Sequence, residues 1–353
     1  MTDLADPSIL DLSRYSRQML VSEIGESGQR RLLASRVTLV GCGALGTALA
    51  NTLVRAGVGC LRLCDRDYIE LNNLQRQILF DEQDIADGLP KAEAAARKLR
   101  RINSSVRIDA VVADVNYSNI ERHGDGADLL LDGTDNFETR YLINDLAVKT
   151  DRPWVYGAVV GTTGLVMPII PGRTPCLRCV FPDAPPPELN PTCDTAGVLS
   201  SAVNLVAAFQ ALETIKILIG RTDALVKGLV SIDAWTGRVV ILDVHSAANR
   251  ADCPCCGKRR FVHLDGTMSS GATSLCGRNA VQINPAGASR VDLALIADKL
   301  RQVAHGAVLC NEHMVRAGVG AYELTVFPDG RAIIKGTHDP DAARTIYAKY
   351  VGA

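Results

Sequence analysis

The stretch VTLVGCGALGTALA, Val37–Ala50, decides how the rest of the chain is read. An apolar run meets three glycines, Gly41, Gly43 and Gly46, and a small-residue helix pattern begins at once. A G-x-G-x-x-G between a strand and a helix start turns the chain tightly and lets a phosphate approach the backbone. The free N–H groups and the dipole of the helix N-terminus favour anionic oxygens there. Asp65 closes the next apolar run, CLRLCD, roughly 20 residues on, where an acid bonds a ribose hydroxyl. The motif predicts a nucleotide site and leaves open which nucleotide it holds. NAD and hydride transfer are one reading, a triphosphate is another, and a glycine-lined packing turn with nothing bound is a third.

Outward from that turn, strands and helices alternate. RVTLVG reads as a strand and ALGTALANTLVRAG as a helix ending at Gly57. Further strands are CLRLCD, VRIDAVVADV, ADLLLDGTD and PWVYGAVVG, with helices GLPKAEAAARKLRRIN and NFETRYLINDLAVKT between them. The alternation predicts an α/β fold, a Rossmann-like doubly wound sheet whose strands after about residue 155 turn antiparallel. Upstream, residues 8–35 read as helical and amphipathic, with Arg14, Tyr15, Arg17 and Gln18 together. A proline-rich loop over 182–191 leads through TCDTAGV into a long buried helix. Composition shifts again at Asp265–Ala272. Beyond that linker a strand (Ala280–Ile283), a helix (Val291–Val303), strands around Ala307–Val319, the hairpin YELTVFPDGRAIIKG and a helix (Asp339–Tyr350) form a small α+β module. The expected organisation is one nucleotide-binding domain over residues 1–262 and a module of unassigned role over 273–353.

The 353 residues are 47% apolar with a net charge of −1, enough for a sizeable core and without the basic excess of a nucleic-acid or anionic-membrane binder. MTDLADPSIL is acidic and lacks an apolar signal core, and VYGAVVGTTGLVMPII is too short and too rich in Gly and Thr to span a membrane. These features predict a cytoplasmic protein with no nucleic-acid or membrane partner.

Past the ribose acid, DYIELNNLQRQILF groups Asn73, Arg76 and Gln77, and Lys91 opens a helix after Pro90. An arginine and a lysine beside a bound nucleotide suit a triphosphate, because displacement at phosphorus builds negative charge that fixed cations stabilise. Asp132 and Asp135 bracket Gly133 and Thr134 at the end of another strand, where a carboxylate holds Mg²⁺ against phosphates. Asp135 or Asn136 also suits the cap of the helix that follows. An oxidoreductase leaves Arg76, Lys91 and Asp135 unexplained, and so does a non-catalytic scaffold.

Eleven cysteines in such a chain point to reduced thiols, metal ligands or a catalytic thiol. Cys176 and Cys179 form one C-x-x-C and Cys253 and Cys256 another, four soft ligands for a tetrahedral structural Zn²⁺. Cys255 is the spare by spacing, although exchange with Cys256 stays open. Cys193 precedes a helix whose N-terminal dipole favours its thiolate, which makes it a candidate reactive thiol. Cys42, Cys60, Cys64 and Cys310 read as core, and Cys276 either as a buried residue or as a second relay thiol. None of the six histidines falls in a motif.

Taken in order, RYSRQ, GCGALG, LCDRDYIELNNLQRQ, GLPKAEAA, LLLDGTDNFETR, PCLRC, TCDTAGV and CPCCG resemble the ThiF/MoeB/HesA family, bacterial relatives of ubiquitin-activating enzymes. The resemblance covers about residues 13–260. It implies an ATP-dependent adenylyltransferase that activates the C-terminal glycine carboxylate of a ubiquitin-fold sulfur carrier ending in Gly-Gly, MoaD- or ThiS-like, with a sulfurtransferase as a further partner. By the same resemblance Gly41, Gly43 and Gly46 form the phosphate loop, and Asp65 is the ribose acid. Asn73, Arg76, Gln77 and Lys91 line the ATP phosphates, and Asp135 binds Mg²⁺. Arg17 reaches the ATP of a second protomer in a homodimer, and Cys193 links covalently to the carrier. The family loop often reads G-x-G-G-x-G; Ala44 here adds a methyl group and keeps the N–H.

Overall fold

The computed structural model describes residues 11–183, 196–245, 250–267, 272–275, 279–283 and 291–351. The chain divides into two compact units, Met1–Met268 and Ser269–Ala353.

In the first unit, β1 (Arg36–Val40), β2 (Cys60–Asp65), β3 (Arg107–Val112), β4 (Leu129–Asp132), β5 (Trp154–Val160), β6 (Thr163–Ile169), β7 (Leu229–Asp233) and β8 (Arg238–Leu242) form one sheet. Its order is β3-β2-β1-β4-β5-β6-β7-β8. The first five strands are parallel, and β6, β7 and β8 add antiparallel, as the sequence predicts. The helices are α1 (Ser16–Met19), α2 (Gly25–Ala34), α3 (Ala44–Ala56), α4 (Glu82–Ala86), α5 (Lys91–Ile102), α6 (Ile120–Gly124), α7 (Phe137–Lys149), α8 (Leu177–Val180) and α9 (Ser200–Leu218). Chain order reverses between β1 and β4, so the crevice beyond their carboxyl ends is where such a sheet binds ligands.

Period-2 alternation splits each central strand between two cores. On β5, Val155 and Val159 join Leu49 and Leu53 of α3, Leu99 of α5 and Val203 and Val206 of α9. Trp154 and Tyr156 face the other way, against Leu142 and Leu146 of α7. Fully burying each such leucine stabilises the fold by about 1.5–3 kcal/mol. Gly57 ends α3 in the left-handed region, φ +86°, where a Cβ would also press on the Tyr15 ring.

The helical stretch expected over 8–35 is helical in three pieces, a turn at Ser13–Tyr15, then α1, then α2. Gly25, at φ +56°, opens α2 in a conformation that a continuing helix cannot contain. The long helix α9 packs on β5, β6 and α3 but, contrary to expectation, is not wholly buried, since Leu205 and Leu212 are exposed. Among the described residues it is the one helix long and apolar enough to cross a membrane by length and composition alone. Its packed face carries buried Gln210, Glu213 and Thr214.

The second unit is an antiparallel sheet of β9 (Ala272–Leu275), β10 (Ala280–Ile283), β11 (Leu309–Cys310), β12 (Val315–Val319), β13 (Tyr322–Val326) and β14 (Ala332–Lys335). Its order is β11-β12-β13-β14-β10-β9. Two helices, α10 (Leu293–Arg301) and α11 (Pro340–Tyr350), are capped by the Asp292 and Asp339 carboxylates. Leu300 and Ile346 from those helices share a core with Val281, Leu324 and Ile334. The expected hairpin is β13–β14, with Val326 opposite Ala332. Cys310, expected in the core, is exposed, because its two-residue strand lies at the open edge of the sheet.

Candidate functional site

The glycine loop lies at the switch point. Gly41 adopts φ +91°, and a Cβ there would stand 2.5 Å from the Gly133 carbonyl oxygen. The loop after β1 and the loop after β4 therefore touch backbone to backbone, and glycine on both sides permits it. At Gly46 a Cβ would strike the Gly41 carbonyl, so this glycine seats α3 against the turn. Gly43 differs. A Cβ on it would meet nothing nearer than Gln77 Nε2 at 4.0 Å, and no side chain caps α3 at that position. The second glycine thus leaves a cradle in front of an uncapped helix N-terminus, which suits a phosphate.

Asp65 fixes this turn from below. Its Oδ2 accepts the Cys42 N–H at 2.6 Å and its Oδ1 accepts the Asp67 N–H at 2.7 Å. Burial pushes its carboxyl above the usual range while the Lys91 ammonium pulls against it. The ribose acid named from the sequence is therefore also the hinge of the loop. Cys42, inside the loop, is fully buried with its thiol pushed far up by burial, which makes it a packing residue and not a nucleophile.

Lys91 is the first residue of α5 and is 2% exposed. Its Nζ lies 3.2 Å from Asp67 Oδ2, and its N–H donates to the Asp67 carbonyl at 2.9 Å. A lysine so deeply buried needs an anionic partner. Asp67 supplies one and holds the ammonium beside the glycine loop. Asn73 and Gln77 are also buried. Asn73 Oδ1 accepts the Glu70 N–H, which closes a capping box around the Leu71–Asn73 turn. Gln77 Oε1 finds no hydrogen-bond partner among the described residues, and a buried amide oxygen left open next to a cradle suits a polar ligand group. Arg76 is half-buried, and its Nη1 donates to the Asn72 carbonyl at 2.7 Å.

Of the two acids after β4, Asp132 is occupied structurally. It is fully buried, accepts the Thr134 N–H at 2.8 Å and the Thr134 hydroxyl at 2.7 Å, and pairs with Arg140 Nε at 3.3 Å. Burial raises its carboxyl, with Arg140 opposing. Arg140 also donates to the Thr134 carbonyl and lies over the Phe137 and Tyr156 rings. The Gln210 amide of α9 adds a bond to the Asp132 carbonyl at 2.9 Å. Asp135 projects beyond this locked loop and is exposed, free of the structural role that Asp132 fills. Asn136, not Asp135, caps α7, accepting the Thr139 N–H at 2.9 Å.

The four cysteines of the two C-x-x-C pairs come together although 77 residues separate the pairs. Their sulfurs lie within 4.8 Å of one another, with Cys176–Cys253 at 3.6 Å, Cys176–Cys179 at 3.8 Å and Cys179–Cys256 at 3.4 Å. Four thiolates at tetrahedral zinc distance would stand about 3.8 Å apart, so the set fits such an ion. Cys255 is buried outside the quartet and accepts from the Asn144 amide at 3.2 Å.

Arg17 lies exposed on α1, while its neighbours are anchored. The Tyr15 hydroxyl accepts from Asn103, and Gln18 donates to Gln29 and to the Ala56 carbonyl. Cys193 and Cys276 fall outside the described residues. The geometry thus gathers the glycines, Asp65, Gln77 and Lys91 at the glycine turn, with Asp135 on the adjoining loop. Sequence reasoning missed Asp67, Arg140, Gln210 and Asn144. The DRD triplet after β2 held a signal for the first, since a buried lysine on a neighbouring helix needs a counter-ion.

Residues 15–255 match the ThiF family. Over 340 residues the chain is 44% identical to the sulfur carrier protein ThiS adenylyltransferase of Bacillus subtilis, covering 96% of this chain and 99% of that one. It is 40% identical to the SAMP-activating enzyme E1 of Haloferax volcanii, over 70% of this chain and 89% of that one. The adenylyltransferase and sulfurtransferase MOCS3 of Aedes aegypti is 37% identical, with 55% of its length covered. Among solved structures, E. coli MccB with ATP shares the fold at a TM-score of 0.60 and 23% identity, over 72% of this chain and 76% of that one. Matched from Tyr15 to Cys255 by the family's pattern and 44% identical to one of its named enzymes along nearly its whole length, the chain belongs to the ThiF family and is an adenylyltransferase.

Proposed function

We propose that this enzyme uses ATP to adenylate the C-terminal glycine carboxylate of a ubiquitin-fold sulfur-carrier protein. The observation that carries the reading is Lys91, a buried ammonium fixed by Asp67 at 3.2 Å beside a glycine cradle. Displacement at phosphorus builds negative charge that such a fixed cation stabilises. The substrate class follows the relatives, whose names specify ThiS and SAMP as what they act on.

The carrier carboxylate is ionised at neutral pH, so no general base is required. One carboxylate oxygen attacks the α-phosphorus of ATP. The bond to the bridging oxygen breaks, pyrophosphate leaves with its electron pair, and an acyl-adenylate remains. Catalysis is then alignment and charge neutralisation. In this reading Gly41, Gly43 and Gly46 cradle the phosphates, Asp65 meets the ribose, and Gln77 and Asn73 supply amide contacts. Lys91 and Arg76 stabilise the charge that develops on the phosphoryl oxygens. Asp135 would hold Mg²⁺, which neutralises the departing pyrophosphate. Arg17 from a second protomer completes the site, and Cys193 acts after activation, when the carrier passes towards sulfur transfer. The four-cysteine cluster would hold a structural zinc.

ATP–pyrophosphate exchange with a carrier ending in Gly-Gly tests the scheme. Lys91→Ala, Arg76→Ala and Asp135→Ala should each lower exchange by about 100-fold or more with the fold intact, as loss of a charge-stabilising group does. Cys193→Ala should leave exchange unchanged and block only later transfer. Exchange that survives Lys91→Ala would overturn the assignment.

A further inference from the structure

Asn144 lies on α7 and is fully buried. Its Oδ1 accepts the Leu177 N–H at 2.8 Å, one residue past Cys176. Its Nδ2 donates to Cys255 Sγ at 3.2 Å, between Cys253 and Cys256. The Leu177 N–H can only donate, which fixes the orientation of the amide. One side chain therefore bonds both cysteine pairs at once, each through a residue that is not itself in the sulfur quartet. The neighbouring Asp145 carboxylate accepts the His263 N–H at 3.0 Å and ties down the chain just beyond the second pair. Asparagine is a poor residue for a helix interior, and a buried amide is tolerated only when both of its ends are satisfied. Here both are satisfied by the cysteine segments. Cys255, the fifth cysteine of the cluster, also gains an explanation, as a compact, soft acceptor at the point where the amide docks.

We infer that Asn144 is the positioning residue of the metal clip. It holds the two cysteine segments in register on α7, so that the four sulfurs are gathered before a metal arrives, and Cys255 is its anchor and not a ligand. The inference rests on the metal reading of Cys176, Cys179, Cys253 and Cys256, and the experiment separates the two. Full-length wild type, Asn144→Ala, Cys255→Ala and a distant core control, Leu53→Ala, are purified with zinc. Metal content is measured, and then the rate of zinc transfer to a coloured chelator. The expected result is one zinc per chain in all four, with release faster by roughly 10–100-fold in Asn144→Ala and Cys255→Ala and unchanged in Leu53→Ala. If Asn144→Ala does not fold, Cys255→Ala reads the same bond from its other end. Wild-type release rates in both site variants overturn the inference, and so does equally fast release from Leu53→Ala, which would reduce the effect to general destabilisation. Loss of zinc stoichiometry in Cys255→Ala would make that residue a ligand. A wild type that holds no zinc overturns the metal reading itself.

Discussion

Gly43 and Gly46 share one motif but answer to different constraints. A methyl on Gly46 would enter the Gly41 carbonyl, whereas a methyl on Gly43 would enter the open cradle. Gly46→Ala should therefore cost about 1–3 kcal/mol of stability, as forced overpacking does. Gly43→Ala should melt close to the wild type yet raise the KM for ATP about tenfold or more, since the added group occupies space a phosphate needs. Thermal melts and exchange kinetics on the two variants check the contrast, and equal losses of stability would remove it. His123 gives a second prediction at this scale. It is buried at the end of α6, and burial, helped by Arg122 and Arg62, pushes its pKa down to about 4. The unfolded chain takes up that proton near pH 6.5, the folded chain only near 4, so the contribution of His123 is complete above pH 6.5 and fades as pH falls towards 4. Denaturant unfolding at pH 7 and pH 5 should show the wild type losing about 1–2 kcal/mol more than His123→Gln.

One element, α7, joins the two parts of the functional unit. Its N-terminal end carries Asn136 and Arg140, which lock the loop bearing Asp135. Its later turns carry Tyr141, whose hydroxyl donates to the Phe181 carbonyl at 3.0 Å, and Asn144, which holds the cysteine segments. A helix is stiff over such a span, so loosening one end should reach the other. If the four cysteines hold the proposed zinc, stripping it with a chelator should raise the KM for Mg·ATP about three- to tenfold while the sheet stays folded. Circular dichroism together with exchange kinetics on stripped and reloaded enzyme would show it, and an unchanged KM would mean that the clip serves stability alone. The same helix shows what the sequence discloses and what it hides. Its span and the glycine turn before it are local patterns, legible from spacing, which left the cap open between Asp135 and Asn136. So were the cysteine pairs, because two C-x-x-C motifs leave few alternatives. The Asp132–Arg140 pair, the Asp67–Lys91 pair and the Asn144 bridge were not legible. They join common polar residues that only the folded sheet brings together. The exposure of Cys310 was missed for a related reason: periodicity locates apolar faces but does not distinguish an edge strand from a central one.

At the scale of the whole molecule, one side of the sheet leaves apolar surface uncovered. Val239 and Ile241 of β8 stand opposite Ile232 and Val230, on the face that packs α9, and all four of Val239, Ile241, Leu205 and Leu212 are exposed. Arg17 is exposed on α1, beside Tyr15 of the preceding turn and Gln18, which are both pinned inward. If each active site takes its arginine from the second protomer of a homodimer, a defect in Arg17 and a defect in Lys91 lie in different halves of the same site. Arg17→Ala and Lys91→Ala should each be nearly inactive alone. After mixing and exchange of subunits, half of the dimers pair one variant with the other. Each mixed dimer then holds one site with Lys91 from one chain and Arg17 from its partner, and a second site lacking both. The mixture should recover about a quarter of wild-type exchange, a value set by the symmetry of a two-fold dimer and by nothing else in the chemistry. Recovery to that level would assign Arg17 across the interface. An inactive mixture whose subunits demonstrably exchange would confine Arg17 to its own chain.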